Sequence, residues 1–413
     1  MIEFKDFGIE DNARYLEYLR RCMQIPASAS PFITLSYKEM MGVTRGYADG
    51  LCWHKSNVDD TELWAPPAGD WDEIDWRKVF AENVPDGTTF AYVPEYLVNL
   101  WQQQLGAAIE AEPDRDNWDY ILHLDRMEKM TGNKLKAFRR YRNIFEKTYD
   151  YTIEEITPKI FDELRKFQSA AEENLQQRAN RIEDAQDDDV TFRFALEHWD
   201  ELKNLFGFVV RVDGEIVAYV LDEQIDETNA IGLFAKANYD IKGANQFAYW
   251  YDAKINLERG ILVENIMADT GEENLRFFKE HLYPLVMLKK FFVTYNAAGT
   301  KELPKIETRE DHELKFSFER LGKNLTVKLS GKLNTDSANG SGKNILAALD
   351  GAEAIVFDLD GLKYISSSGL KVLVAAMKKI KAKGGTLTVK NVGEQVHEVL
   401  TMTGFAKILG MEG

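Results

Sequence analysis

The sequence is poor in the residues that staple small folds or build metal centres. Two cysteines, Cys22 and Cys52, in 413 residues supply neither a disulfide framework nor a zinc site. Two buried thiols are expected instead. The six histidines are scattered, with no His-x-x-x-His or similar spacing, so no metal is predicted. No apolar run approaches the roughly 20 residues a membrane helix needs, and no membrane insertion is expected. The opening segment MIEFKDFGIED is acidic and lacks the basic-then-apolar layout of a secretion signal, which points to a cytoplasmic protein. Basic residues are outnumbered, 51 Lys and Arg against 68 Asp and Glu, for a net charge of −17. The overall field therefore repels nucleic acid, and any such contact would need a local basic patch.

What is present is ordinary globular material: 45% hydrophobic and 29% charged residues. The length exceeds one hydrophobic core, so two or three domains are expected. The polar segment NAAGTKELPKIETRED, with Gly299 and Pro304, reads as a linker over 298–311. Thr157 and Pro158 mark a helix start, with Ile160, Phe161, Leu164, Phe167 and Ala171 following at helical spacing. Next, GFVVRVDGEIVAYVLDEQ is two apolar runs joined at Asp213-Gly214, a hairpin signal. A strand AIGLFAKA, a helix from Gln246 to Arg259 and a strand ILVENIMA complete this part. Residues 1–150 repeat the order more faintly. A helix at Asn12–Met23 precedes strands GLCWHKS and TELWAPP; helices near Trp76–Glu82 and Glu95–Leu105 flank TTFAYV, and WDYILHL closes the segment. Two similar α/β halves, 1–150 and 151–297, are expected, followed by a domain over 312–413. The acidic run EDAQDDD at Glu183–Asp189 reads as a solvated loop.

The segment DLDGLKYISSSGLKVLVAAMKKIKAKGG is the most informative. A buried-type strand, AIVFDLDGL, leads to Ser366, Ser367 and Ser368. A helix then begins near Gly369, with Leu370, Leu373, Val374, Met377 and Ile380 on one face. Lys378, Lys379, Lys381 and Lys383 load its far end, where the helix dipole favours cations. Serines at a helix N-terminus cap it, and on the fragment alone capping accounts for them. A phosphate placed there would add roughly −1.5 to −2 charges and alter a binding surface without unfolding the domain. The region resembles the STAS domain of anti-sigma-factor antagonists: LTVKLSGKLNTDSA, the turn Ser366-Ser367-Ser368-Gly369-Leu370, TLTVKNV and EQVHEVLTMTGFAKIL fall in that family's order. The resemblance implies phosphorylation of Ser367, with Ser366 and Ser368 as alternatives, and partner switching with an anti-sigma-type kinase or another switch protein. The acidic residue usual before the phosphorylated serine is Ser366 here.

Two further clusters stand out. MTGNKLKAFRRYRNIFEK, helical from about Lys134, puts Phe138, Tyr141 and Phe145 on one face and Lys136, Arg139, Arg142 and Asn143 on the other. It reads either as an amphipathic helix with a solvated basic side or as an anion site. ENIMADTGEENLRFFKEHLYPLVMLKK carries Asn265 and Asp269 off a strand and sets Arg276 and Lys279 three apart on one helical face. Together these clusters resemble the phosphatidylglycerol lysyltransferase C-terminal-like family over about residues 1–295. Gly132, Lys134, Arg139, Asn143 and Phe145 match its first motif. Asn265, Asp269, Gly271, Leu275, Arg276, Lys279 and Pro284 match its second. The resemblance implies an α/β fold of two tandem GNAT-like acyltransferase units followed by the STAS domain, a mixed sheet flanked by helices. It also implies a ligand site at Lys134, Arg139, Asn143, Asn265, Asp269, Arg276 and Lys279, with Asp269 and Lys279 the catalytic candidates. The ligand would be a small acyl or aminoacyl group, with acyl-CoA or aminoacyl-tRNA as the donors to consider. Contact with tRNA would be confined to the basic patch around Lys134–Lys147. Departures bear on activity. The family's paired glutamates are Met267 and Ala268 here, the basic residue before Arg139 is Phe138, and Lys242-Gly243 makes a poor CoA loop. Three readings follow: a signalling protein whose STAS switch is joined to a ligand-binding or transferase module, an active acyl- or aminoacyltransferase with a STAS tail, and a non-catalytic scaffold.

Overall fold

A computed structural model describes residues 1–58, 61–179, 184–298 and 314–411. The expected linker lies, apart from Ala298, outside the described residues. The chain forms β1 (Thr44–Ala48), β2 (Leu51–Val58), β3 (Thr61–Trp64), β4 (Thr89–Pro94), β5 (Ile109–Pro113) and β6 (Asp119–His123). Then come β7 (Tyr151–Glu155), β8 (Leu205–Val212), β9 (Glu215–Gln224), β10 (Asn229–Ala237), β11 (Val263–Asn265), β12 (Val286–Leu288) and β13 (Lys290–Tyr295). The last four are β14 (Lys315–Leu321), β15 (Asn324–Leu333), β16 (Ala354–Ile365) and β17 (Thr386–Lys390).

The strands build three sheets, ordered β1-β2-β3-β4-β13-β5, β12-β6-β11-β10-β9-β8-β7 and β14-β15-β16-β17. The first two sheets exchange strands. WDYILHL, from the first half of the chain, supplies β6 to the second sheet, while β13 returns to lie between β4 and β5. The expected hairpin is present: Val212 pairs with Glu215 across Asp213 (φ 52°) and Gly214 (φ 85°). Positive φ at both turn residues matches strand twist, which is why Asp-Gly serves here. Burial along β8 and β9 is nearly continuous, because helices cover both faces of this sheet.

An aromatic core lies against the first sheet. Trp101 packs on Trp76, Phe80 and Phe90 with ring centroids 4.9–5.5 Å apart, and Trp64 reaches Phe90 at 5.8 Å. Cys22 and Cys52 are buried free thiols. In the third sheet β15, β16 and β17 run parallel and β14 is antiparallel. The helix Ser367–Lys381 buries Leu370, Leu373, Val374, Met377 and Ile380, the five positions its periodicity assigns to one face. Two expectations change. The acidic run lies not in a loop but, from Asp184 on, in the helix Asp184–Glu197, where Asp189 pairs with Arg193 one turn on; Glu183 lies outside the described residues. Arg142 is only partly solvated: its guanidinium lies 4.6 Å from the Trp250 ring and pairs with Glu146 at 2.9 Å.

One buried group ties the two large sheets together. Asp119 on β6 accepts from Lys290 Nζ on β13 at 2.7 Å, from Asn265 Nδ2 on β11 at 3.0 Å and from the backbone N–H of Ala27 at 2.8 Å. Lys290 and Asp119 are both buried. Removing one member of such a pair strands the other charge without water. Lys290→Met should therefore cost about 3–5 kcal/mol in urea unfolding. A loss under about 1 kcal/mol would place the pair among weak surface bridges.

Candidate functional site

Three carboxylates that sequence reading missed meet at the centre of the second sheet. Asp222 stands near the end of β9, Asp252 on the helix Ala244–Glu258, and Glu264 on β11. A ligand oxygen from each lies within 4.8 Å of the other two, and all three residues are buried. Asn256, one turn after Asp252, donates its amide to Asp222 Oδ2 at 2.9 Å and to Asp252 Oδ1 at 2.8 Å. Among the described residues, Asp222 Oδ1, Glu264 Oε2 and Asn256 Oδ1 are buried and accept from no nitrogen or hydroxyl donor, while the Asp222 and Glu264 carboxyls each face that of Asp252. Gly232 makes the room: a Cβ there would overlap Glu264 Oε1, and β10 bulges between Gly232 and Phe234. A cavity of about 140 Å³ opens onto this triad, lined also by Tyr249, Leu275, Met267 and Lys279.

Burial and mutual repulsion keep the triad from ionising. Burial and then the Asp222 charge push Glu264 from the usual 4.5 up to about 8. Burial and the neighbouring acid raise Asp222 and Asp252 well above the ordinary carboxylate range. The triad is thus a nest of protonated, oxygen-only groups that can accept a cation in exchange for protons.

Of the second sequence motif, Leu275 and Lys279 line this cavity and the other members serve beside it. Lys279 is buried and donates to the carbonyls of Ile266 at 2.8 Å and Ala268 at 2.6 Å, which brings its side chain to the cavity wall. Asn265 Oδ1 accepts from the N–H of Met267 at 2.9 Å, and Met267 takes φ 62°. Asp269 accepts five hydrogen bonds, from Arg115, Tyr120, Gly271 N–H and two nitrogens of Arg276, at 2.6–3.1 Å. Burial opposes its charge, but the bonds from Arg276, Tyr120, Gly271 and Arg115 prevail and hold the carboxyl well below the usual range. A carboxylate so acidic and so fully engaged is a poor proton acceptor. It anchors Arg276, which also pairs with Asp116 at 2.7 Å. Asn265 serves the Asp119 node.

The first motif stands apart. Arg139 donates to the carbonyls of Met130 and Gly132, and Lys134 lies 5.4 Å from the Tyr283 ring. Neither they nor Asn143 line the cavity. Lys134, Lys136, Arg140 and Lys147 remain exposed as a basic patch. Among the serines, Ser366 is buried, and its hydroxyl caps the helix by accepting from the N–H of Gly369 at 3.2 Å. Ser367 is the first helical residue, and its side chain lies outside the described part of the structure. Ser368 is half-buried.

The three sheets and the serine-capped helix define a mixed α/β protein whose last sheet and its helices form a STAS domain. The family described as Phosphatidylglycerol lysyltransferase, C-terminal, matches residues 59–294, and the STAS domain matches 315–412. The chain belongs to that lysyltransferase C-terminal family and carries a STAS domain behind it. It is 36% identical over 87 residues to the anti-sigma F factor antagonist of Paenibacillus polymyxa, covering 21% of this chain and 74% of that protein. A conserved protein of unknown function from Bacteroides thetaiotaomicron VPI-5482 superposes with a TM-score of 0.64 at 22% identity, over 72% of this chain and all of that one. FemX superposes with a TM-score of 0.52 at 10% identity, over 70% of this chain and 96% of its own. At such identities the two structural likenesses concern the fold alone. Among the described residues, no helix is long and apolar enough to cross a membrane.

The raised acids set a pH dependence. Between about 4.5 and about 8, Glu264 is protonated in the fold and ionised in the unfolded chain. The unfolded state then binds fewer protons, so stability falls as pH rises through this window. We expect the urea midpoint to drop from pH 5 to pH 8 and Glu264→Gln to flatten part of that slope. Glu223, which burial raises to about 7, and the raised Asp222 and Asp252 keep the remainder. Equal slopes in the two proteins would contradict the assignment.

Proposed function

We propose that this chain is a cytoplasmic bacterial signalling protein. Its STAS domain switches protein partners by phosphorylation at Ser367, and its GNAT-like module binds a small aminoacyl-type ligand. The observation that carries the ligand half is the acidic triad with unpartnered oxygens at the wall of a cavity. A primary ammonium group donates three hydrogen bonds and carries the charge such a nest lacks. An aminoacyl group presents that ammonium beside an ester carbonyl, and family membership makes aminoacyl compounds the first class to consider. Transfer of the group is the second reading. It is favoured by Glu264, which burial raises to about 8; a carboxylate of that basicity can take a proton from an attacking hydroxyl or amine near neutral pH. With Met267 and Ala268 in place of the family's glutamates, the triad is the candidate base.

The switch half rests on the STAS match and on the serines at the start of the helix Ser367–Lys381. Free backbone N–H groups there favour added negative charge. The test is made on tagged protein purified from its own host, by mapping phosphopeptides and comparing co-purifying proteins for wild type and Ser367→Asp. The expected result is phosphate on Ser367 and a protein partner missing from the variant. An unmodified Ser367 with the same partners in both samples would sink the switch.

A further inference from the structure

The helix Ser367–Lys381 lies on the GNAT-like module, and its lysines reach across. Lys371 Nζ pairs with the buried Asp226 at 3.1 Å and donates to the carbonyl of Arg20 at 3.0 Å. Lys378 Nζ donates to the carbonyls of Gly260 and of Glu227, the latter at 3.3 Å. Farther along, Lys407 donates to the Leu285 carbonyl at 2.9 Å, and Gln24 donates to that of Met402 at 3.3 Å. Gly404, at φ 78°, permits the close approach: a Cβ there would lie 2.8 Å from Leu285 Cδ2. The fit is incomplete. A cavity of about 90 Å³ remains between the modules, lined by Cys22, Met23 and Ile25 on one side and by Leu370, Met402 and Phe405 on the other. Incomplete packing around polar ties is the character of an interface that opens.

The points grasped by the two lysines are the ends of the elements that build the acidic site. Asp226 lies in the turn joining β9, which carries Asp222, to β10, which carries Gly232. Its carboxylate also orders that turn by accepting from the N–H groups of Thr228 at 2.7 Å and Asn229 at 2.9 Å. Gly260 closes the helix that bears Asp252 and Asn256, and three residues later β11 begins and carries Glu264. The carbonyl of Thr228 accepts from the N–H of Leu262 at 2.8 Å, binding the two ends together. The STAS helix therefore grips the turns at one end of each element carrying a triad carboxylate.

We propose that the STAS helix is a clamp in cis on the acidic site, held by Lys371 and Lys378, and that a phosphate in its first turn releases it. This rests on the switch reading above for its trigger. Ser367 stands four residues before Lys371, hence on the same helical face one turn away. A phosphate there competes with Asp226 for the Lys371 ammonium and adds like charge against that buried carboxylate. The phosphate arrives from a nucleoside triphosphate through a protein kinase. The serine oxygen bonds to the γ-phosphorus, the bridge to the nucleoside diphosphate breaks, and the hydroxyl proton passes to a base on the kinase.

The chain supplies its own reporter. Cys22 lines the cavity between the modules, whereas Cys52 is buried in β2 and takes no part in lining it. The full chain is labelled with N-ethylmaleimide and the two cysteine peptides are followed by mass spectrometry. The proteins compared are wild type, Lys371→Ala/Lys378→Ala, the control Lys379→Ala, and a chain with phosphoserine installed at position 367. Lys379 bonds within the STAS domain, to the Leu346 carbonyl and Asp350. We expect Cys22 to label at least about tenfold faster in the double variant and in the phosphoserine protein, with Cys52 and the control unchanged, because a thiol so buried reacts only when the structure opens locally. Unchanged Cys22 labelling in the double variant would overturn the clamp, and an equal rise at Cys52 would mark general unfolding and count against it too. A response to the lysine changes but not to phosphoserine would overturn release by phosphate. Installing the modification directly keeps that outcome separate from the question of whether the host phosphorylates Ser367.

Discussion

A carboxylate without water must find donors, and Asp119 finds them on three separate stretches of chain. Lys290 brings the strand that closes the first sheet, Asn265 the strand that carries the second motif, and Ala27 the segment leading to the first sheet. None of these residues is near another in sequence, so the bond network forms only when both sheets are in place. It explains why the strand exchange of β6 and β13 matters: each large sheet includes a strand from the other half of the chain, and the exchanged strands carry the two charges of the pair. The cavity beside Glu264 inherits its geometry from that arrangement, because Asn265 follows Glu264 directly on β11.

Two acidic clusters a few residues apart then show opposite electrostatics. Asp269 meets two guanidiniums, a phenol and a backbone N–H, and burial is outweighed. Asp222, Asp252 and Glu264 meet mainly one another and one amide, and burial prevails. The first arrangement fixes a loop; the second leaves unfilled oxygens. Stability is given up where buried polar groups lack partners, and such places are where a ligand gains most from binding.

Much of the fold is legible in the sequence because it is local. Period-two and helical spacing, the Asp213-Gly214 turn and the serine-capped helix each depend on a few neighbouring residues. The STAS domain is the clearest case: all five residues read as one helix face are buried. The exchange of β6 and β13 is not legible, since strand pairing over such distances leaves no periodic trace. The candidate site was half visible. Lys279 was singled out, while Asp222, Asp252 and Glu264 sit in runs such as YVLDEQ, WYDAKI and ILVENI that read as core. An acid inside an apolar run was the available signal, because a buried charge needs a reason. Asp269 was singled out as a catalytic and ligand-binding candidate, whereas its anchoring of Arg276 follows from partners such as Arg115 and Tyr120, more than a hundred residues away.

The claim that the triad is an ammonium site is most directly tested by calorimetry with L-alanine methyl ester at pH 7, in buffers of differing ionisation enthalpy. If the triad is protonated when empty and ionised when occupied, binding releases protons, and the apparent enthalpy should vary with the buffer. N-acetyl-L-alanine methyl ester, which lacks the ammonium, should bind at least about tenfold more weakly, a difference of about 1.4 kcal/mol. Equal binding of the two esters, or an enthalpy independent of buffer, would contradict the account.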